Sequence, residues 1–206
     1  MSVPASTRPV PAPVSPVSAT RARILDAALE LFSAHGFDGT TLQQIADRLG
    51  FTKAALYYHF RSKDDLLRAL IAPAIADLDA LLDADEQEAD TPARRRHFVE
   101  DYIDVMLRQR RLIAYMASDL AIVAHPAISG GNAARRDRLQ TRLAGDGLEF
   151  SEQVRVTMAT RAIGGVIAQF PDADLTELRA VLIEATRALL RVRKTRAATA
   201  GGAERG

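Results

Sequence analysis

No stretch of this chain alternates apolar and polar residues over a strand's length; apolar residues recur instead at steps of three and four. That is the α-helical period, in which residues three and four apart share a face. The chain is therefore expected to be all-α, with about nine helices. From Thr20, residues Ile24, Ala28, Leu31 and His35 form one stripe, widened by Leu25, Leu29 and Phe32. Gly36 is expected to close that helix, because glycine tolerates the left-handed conformation of a helix end.

The next stretch, "TLQQIADRLGFTKAALYYHFRSKDDLL", runs from Thr41 to Leu67. Thr41 with Gln44 three residues on is a capping box. Leu42, Ile45, Ala46 and Leu49 point inward, and Gly50 stops the helix. Thr52 caps a very short third helix whose inward anchors are Leu56 and Phe60. Ser62 and Asp65 mark a fourth start. Pro73 lies within that fourth helix and is expected to kink or break it near Leu70.

Beyond the acidic loop "DADEQEAD", Thr91-Pro92 opens a helix to about Gln109. "LIAYMASDLAIVAH" is apolar nearly all round and should be buried. Pro126 and Gly130-Gly131 interrupt the chain before "NAARRDRLQTRLAG". Ser151 is expected to open the penultimate helix, and Asp174 with Glu177 to cap the last. In that last helix Leu175, Leu178, Leu182, Ala185, Leu189 and Val192 form a heptad seam, and Val181 and Ala188 make a second apolar row. The penultimate helix offers Ala159, Ala162, Ile163, Val166 and Phe170, with Gly164-Gly165 permitting close approach. A helix sticky on two sides needs two partners. Either a monomeric bundle core or a second copy of the chain would serve; the expectation is a homodimer through Ala159, Ile163, Val166, Phe170, Leu178, Leu182, Ala185 and Leu189.

A helix, a three-residue turn around Gly50 and a second helix make the helix-turn-helix spacing. The outward positions of the short helix are Lys53, Ala54, Ala55 and Tyr57. Small side chains let a backbone approach base edges in the major groove, about 12 Å wide. Lys53 can reach guanine acceptors or a phosphate, and Tyr57, His59 and Lys63 flank it as donors to a duplex backbone. Each residue alone has a plainer reading: Tyr57 and Tyr58 could cover the small core, and His59 and Lys63 could be solvated. The net charge is only +1, so any basic patch must be local.

The segment "ILDAALELFSAHGFDGTTLQQIADRLGFTKAALYYHFRSKDDLLRAL", Ile24 to Leu70, resembles the DNA-binding domain of the TetR family of bacterial transcriptional regulators. The resemblance implies a homodimer on a palindromic operator, usually repressive. It implies a four-helix dimer interface over about 151–170 and 174–193, and a small-molecule effector bound among the middle helices that changes the separation of the two DNA-reading heads. Phosphate contacts carry over to Thr41, Tyr57, His59 and Lys63, and base-reading positions to Gln43, Lys53, Ala54 and Ala55. Two alanines are a thin reading set, which leaves room for readout through DNA shape. An activator or a non-inducible DNA-binding protein of the same fold are the nearest alternatives. A cytoplasmic, nucleoid-associated location follows from the same resemblance.

The expected organisation is a Pro-rich arm over 1–18, the head over 19–66, a ligand-binding and dimerisation bundle over 67–194 and a tail over 195–206. Candidate pocket residues are Phe98, Tyr102, Met106, Tyr115, Met116 and Asp119, suited to a mostly apolar ligand, with Asp119 either a polar anchor or a wet helix edge. No apolar run approaches the ~20 residues of a membrane span, and the absence of Cys excludes thiol chemistry and disulfides. No cofactor is expected. An enzyme reading would have to use the acidic and His cluster His97, Glu100, Asp101 and Asp104 as a di-metal site, with matching ligands on other helices.

Overall fold

The computed structural model describes residues 16–119, 122, 124–129 and 132–190. The expected arm up to residue 15, the Gly130-Gly131 interruption, Val192 of the seam and the tail all lie outside them. Every described element is a helix, and the chain divides into two compact units between Ala72 and Pro73.

In the N-terminal unit, α1 (Pro16–Gly39) begins inside the expected arm and is interrupted at Gly36, where φ is 74° and ψ 165°. α2 (Leu42–Leu49) starts at the predicted capping box: the Gln44 amide donates to Thr41 Oγ1 at 3.2 Å, and the Thr41 amide donates to Gln44 Oε1 at 2.7 Å. It ends at Gly50, whose φ of 69° a side chain would strain. α3 (Lys53–His59) is capped by Thr52, whose hydroxyl accepts from the Ala55 amide at 3.1 Å. Ile24, Ala28, Phe32, Ile45, Ala46, Leu56 and Phe60 are buried and form the core these helices share. His35, placed on the inward stripe by spacing, is exposed because the helix geometry breaks at Gly36, one residue later.

α4 (Lys63–Asp85) is opened by Ser62, whose Oγ accepts from the Asp65 amide at 3.0 Å. The expected break at Pro73 does not occur: the helix continues through it. A proline deletes one backbone donor and crowds the carbonyl four residues back, which bends a helix more readily than it ends one when the turns on both sides are held.

The C-terminal unit continues with α5 (Pro92–Arg108), α6 (Arg110–Ser118), α7 (Pro126–Ser129), α8 (Asn132–Ala144), α9 (Phe150–Gln169) and α10 (Leu175–Leu190). Thr91 caps α5 and Asp174 caps α10, as their sequence signatures require. α9 starts one residue earlier than expected, because Glu152 reaches back to accept the Glu149 amide at 3.0 Å. The core of this unit is aliphatic and aromatic: Leu82, Phe98, Val99, Ile103, Val156, Ile163, Ile167, Leu178 and Leu182 pack together.

Arginine–carboxylate pairs join helices where apolar packing stops. Asp79 and Asp83 on α4, with Glu86 just past its end, meet Arg135 and Arg138 on α8, and Arg135 grips Asp79 with two bonds of 2.7 and 2.9 Å. Arg142, one turn further along α8, reaches Asp85 at 3.5 Å. Arg179 on α10 holds Asp104 on α5 at 2.6 and 2.9 Å, and Arg187 pairs with Glu100. Two-bond guanidinium–carboxylate pairs are stronger and more directional than single contacts.

Hydrogen bonds from Arg135, Arg95 and Arg179 hold the carboxyls of Asp79, Asp90 and Asp104 below the ordinary 3.8. Depressed folded values add stability that is fully present above 3.8 and disappears as pH falls through the lowered values. Thermal unfolding followed from neutral pH downward should therefore hold its midpoint to about pH 4 and fall steeply below it. Asp104→Asn should lower the neutral midpoint and flatten the acid limb. A midpoint that decays above pH 6, or that Asp104→Asn leaves untouched, contradicts this assignment.

Candidate nucleic-acid interface

A helix of seven residues is too short to persist alone. α3 is held from one side by Leu56, fully buried, and by Phe60, 3% exposed, at its end. Helical geometry then turns Lys53, Ala54, Ala55 and Tyr57 to solvent, and all four are exposed. Lys53 lies over the Tyr57 ring at 5.8 Å. Tyr58, expected to cover the core in the plain reading, is 80% exposed and stands edge-on to His59 with ring centroids 5.3 Å apart.

Thr41 and Gln43 are exposed at the start of α2, the latter donating to Asp47 Oδ1 at 2.7 Å. The Thr41 hydroxyl is engaged with Gln44, so it acts first as a helix cap. Seven of the eight sequence-derived contact residues, Thr41, Gln43, Lys53, Ala54, Ala55, Tyr57 and His59, are thus at least partly accessible on α2 and α3.

Lys63 is placed differently. Its ammonium donates to the Phe37 carbonyl at 2.6 Å and the Thr40 carbonyl at 3.0 Å, and lies 4.3 Å from the centre of the Phe37 ring. Two of its three donors are therefore committed to the end of α1. Thr40 completes this knot: it is 1% exposed, and its hydroxyl lies 2.9 Å from the Gly36 carbonyl and 3.2 Å from that of Leu31. Spacing gave no sign of Thr40. A small hydroxyl residue just after a helix with a glycine near its end is the one available signal, since the final carbonyls of a helix need donors.

The other sequence-derived sites lie in the C-terminal unit. Phe98, Tyr102 and Tyr115 are buried, Met106 and Met116 half-buried. Asp119, at the end of α6, accepts from the Tyr115 hydroxyl at 3.3 Å. Burial pushes the Tyr102 phenol up to about 12. The interface set separates. Ala159, Ile163, Leu178 and Leu182 are buried within this chain. Val166 and Leu189 are half-buried, and Phe170 and Ala185 are exposed. A heptad seam says that a helix face is covered, and here α5 and α9 pack against α10. The bare faces hold Phe150, Val154 and Met158 on α9, spaced by four, and Val181 on α10. The His97 cluster reads as ion pairing, since Glu100 and Asp104 are occupied by Arg187 and Arg179. Among the described residues no group of three His, Cys, Asp or Glu could hold a metal ion. No described helix is long and apolar enough to cross a membrane.

Residues 24–70 match the family described as "Bacterial regulatory proteins, tetR family". The head is 51% identical over 53 residues to the HTH-type transcriptional regulator SrpR of Pseudomonas putida, and 51% over 47 residues to AcrR of Shigella flexneri. These alignments span 26% and 23% of this chain and 25% and 22% of the relatives' own lengths. The whole fold is similar to AmtR of Mycobacterium smegmatis, with TM-score 0.68 and 25% identity over 87% of this chain and 89% of that one. It is also similar to PfmR of Thermus thermophilus, a TetR family transcriptional regulator, with TM-score 0.58 and 25% identity over 90% and 98%. Residues 24–70 are thus similar to the DNA-binding head of TetR-family regulators, and the helices that follow share the fold of such proteins.

The position of Lys63 generates a test that needs no DNA. Lys63→Met keeps the aliphatic length and strands two carbonyls. It should cost about 1–3 kcal/mol of stability, the range for losing hydrogen bonds to a charged donor. Urea unfolding followed by circular dichroism measures it; an unchanged midpoint would show that the ammonium does not tie the head.

Proposed function

We propose that the chain is a DNA-binding transcriptional regulator that grips a palindromic operator as a homodimer, represses from it, and is released by a small, mostly apolar molecule. One observation carries the DNA reading: α3 buries only Leu56 and its terminal Phe60, and offers a face of small, basic and hydroxyl-bearing side chains to solvent. Such a face fits a major groove, where Ala54 and Ala55 let the backbone come close and can meet thymine methyls. Tyr57 and His59 then face phosphates, and Lys63 keeps one donor for a phosphate while holding the head. The relatives' names support transcription as the process: SrpR and AcrR are transcriptional regulators, and IcaR of Staphylococcus epidermidis, 46% identical over 46 residues, is a negative one.

The second copy covers the bare apolar row of Phe150, Val154 and Met158 on α9 and the exposed Val181 on α10. Contiguous exposed apolar rows of this kind mark association surfaces. Gly165 is on an exposed part of α9, and a side chain built there would meet nothing within 4 Å in this chain, which favours close helix approach by a partner. Two heads so joined would meet major grooves about 34 Å apart, or a multiple of it. An effector weakens binding by its differential affinity for the DNA-competent and incompetent states.

Mobility shifts with duplex from upstream of the coding sequence test the reading. Affinity should fall steeply with salt, in proportion to the phosphates neutralised. Tyr57→Phe should weaken all duplexes alike by about threefold to tenfold, the worth of one hydrogen bond, whereas Lys53→Ala should change preference among them. Wild-type affinity in both variants would refute the assigned face.

A further inference from the structure

At one end of the C-terminal unit, α5, α8, α9 and α10 line a half-open cavity of about 570 Å³ that none of the six sequence-derived pocket residues lines. Its floor is aliphatic: Val99, Leu143 and Val156 are each at most 3% exposed. Four guanidinium groups and one carboxylate surround that floor. Two of the cations are answered. Arg95 pairs with Asp90, with Asp146 adding a weaker field, and Arg187 pairs with Glu100. The carboxylate of Glu152 is engaged at the start of α9, accepting the Glu149 amide.

The other two cations, Arg96 on α5 and Arg155 on α9, pair with no carboxylate among the described residues. Arg155 is half-buried, so part of its hydration is lost without a counter-charge. The site is also built to a shape. Arg95 donates to the Ala144 carbonyl at 3.1 Å and lies against Gly145, where φ is 96° and an added Cβ would come within 2.7 Å of the guanidinium. The positive φ favours glycine there, and any side chain would push the Arg95 guanidinium aside.

We infer that this cavity is a binding site for an aliphatic carboxylate, its chain over Val99, Leu143 and Val156 and its headgroup shared by Arg96 and Arg155. A planar guanidinium matches a carboxylate with two parallel hydrogen bonds, and it is less strongly hydrated than an ammonium. Among the described residues no aromatic side chain lines the cavity, which favours a flexible alkyl body over a stacked ring. This assignment stands apart from the DNA reading, because it concerns binding by the free protein.

The test is calorimetric titration of the purified full-length protein, without DNA, by sodium decanoate and separately by decanol. Saturable binding of one decanoate per chain is expected, at least about tenfold tighter than decanol, the factor expected of one charge-assisted hydrogen bond. Arg96→Gln with Arg155→Gln should abolish that preference, and the thermal midpoint of the unliganded variant checks that it folds. Should the variant not fold, the decanoate-to-decanol ratio in the wild type decides alone. Equal affinities for the two probes, absence of saturable decanoate binding, or a folded variant that keeps the preference would each overturn the site.

Discussion

About two turns of helix gain too few backbone hydrogen bonds to offset the entropy of forming them. α3 exists because Leu56 disappears completely into the core of α1 and α2, and because Thr52 and Phe60 fix its ends. With so little of its surface spent on burial, the rest is free for a ligand. The same economy explains why the head needs Lys63. Its ammonium fastens the last carbonyls of α1 to the first turn of α4, closing the polypeptide around α2 and α3. Head stability and the presentation of the outer face are therefore one physical problem.

The C-terminal unit solves a different one. Helix α8 contributes Leu139 and Leu143 to the core, and most of its other residues are polar or charged. Its arginines answer the acidic end of α4: Arg135 meets Asp79, Arg138 meets Asp83 and Glu86 just past the helix, and Arg142 reaches Asp85. Exposed pairs of this kind contribute little singly, and a ladder with a two-bond member contributes orientation as much as energy. Leu143, next to Arg142 on the same helix, forms part of the floor of the arginine-rimmed cavity.

Much of this was legible because caps and helix periodicity are local. Thr41 with Gln44, Gly50, Thr52, Ser62, Thr91 and Asp174 all act where a reading of neighbouring residues puts them. The exposed face of α3 followed from the placement of Leu56 and Phe60. What escaped depends on residues far apart in the chain. Lys63 meets carbonyls 23 and 26 positions away, so its spacing to Tyr57 and His59 could not reveal it. The seam through Leu178 and Leu182 was visible, but periodicity cannot say whether α5 or a second chain fills it. Arg96 and Arg155 sit on different helices, and nothing local distinguishes them from solvated charges.

The central claim is that two copies of the outer α3 face read one duplex together. Selection of bound sequences from a random duplex pool by the purified protein, followed by footprinting of the winners, tests it most directly. An inverted repeat is expected, its half-sites centred about 34 Å apart or a multiple of it, with protection in successive major grooves on one side of the helix. A pool that gains no common sequence, or one protected as a single unpaired half-site, would contradict it.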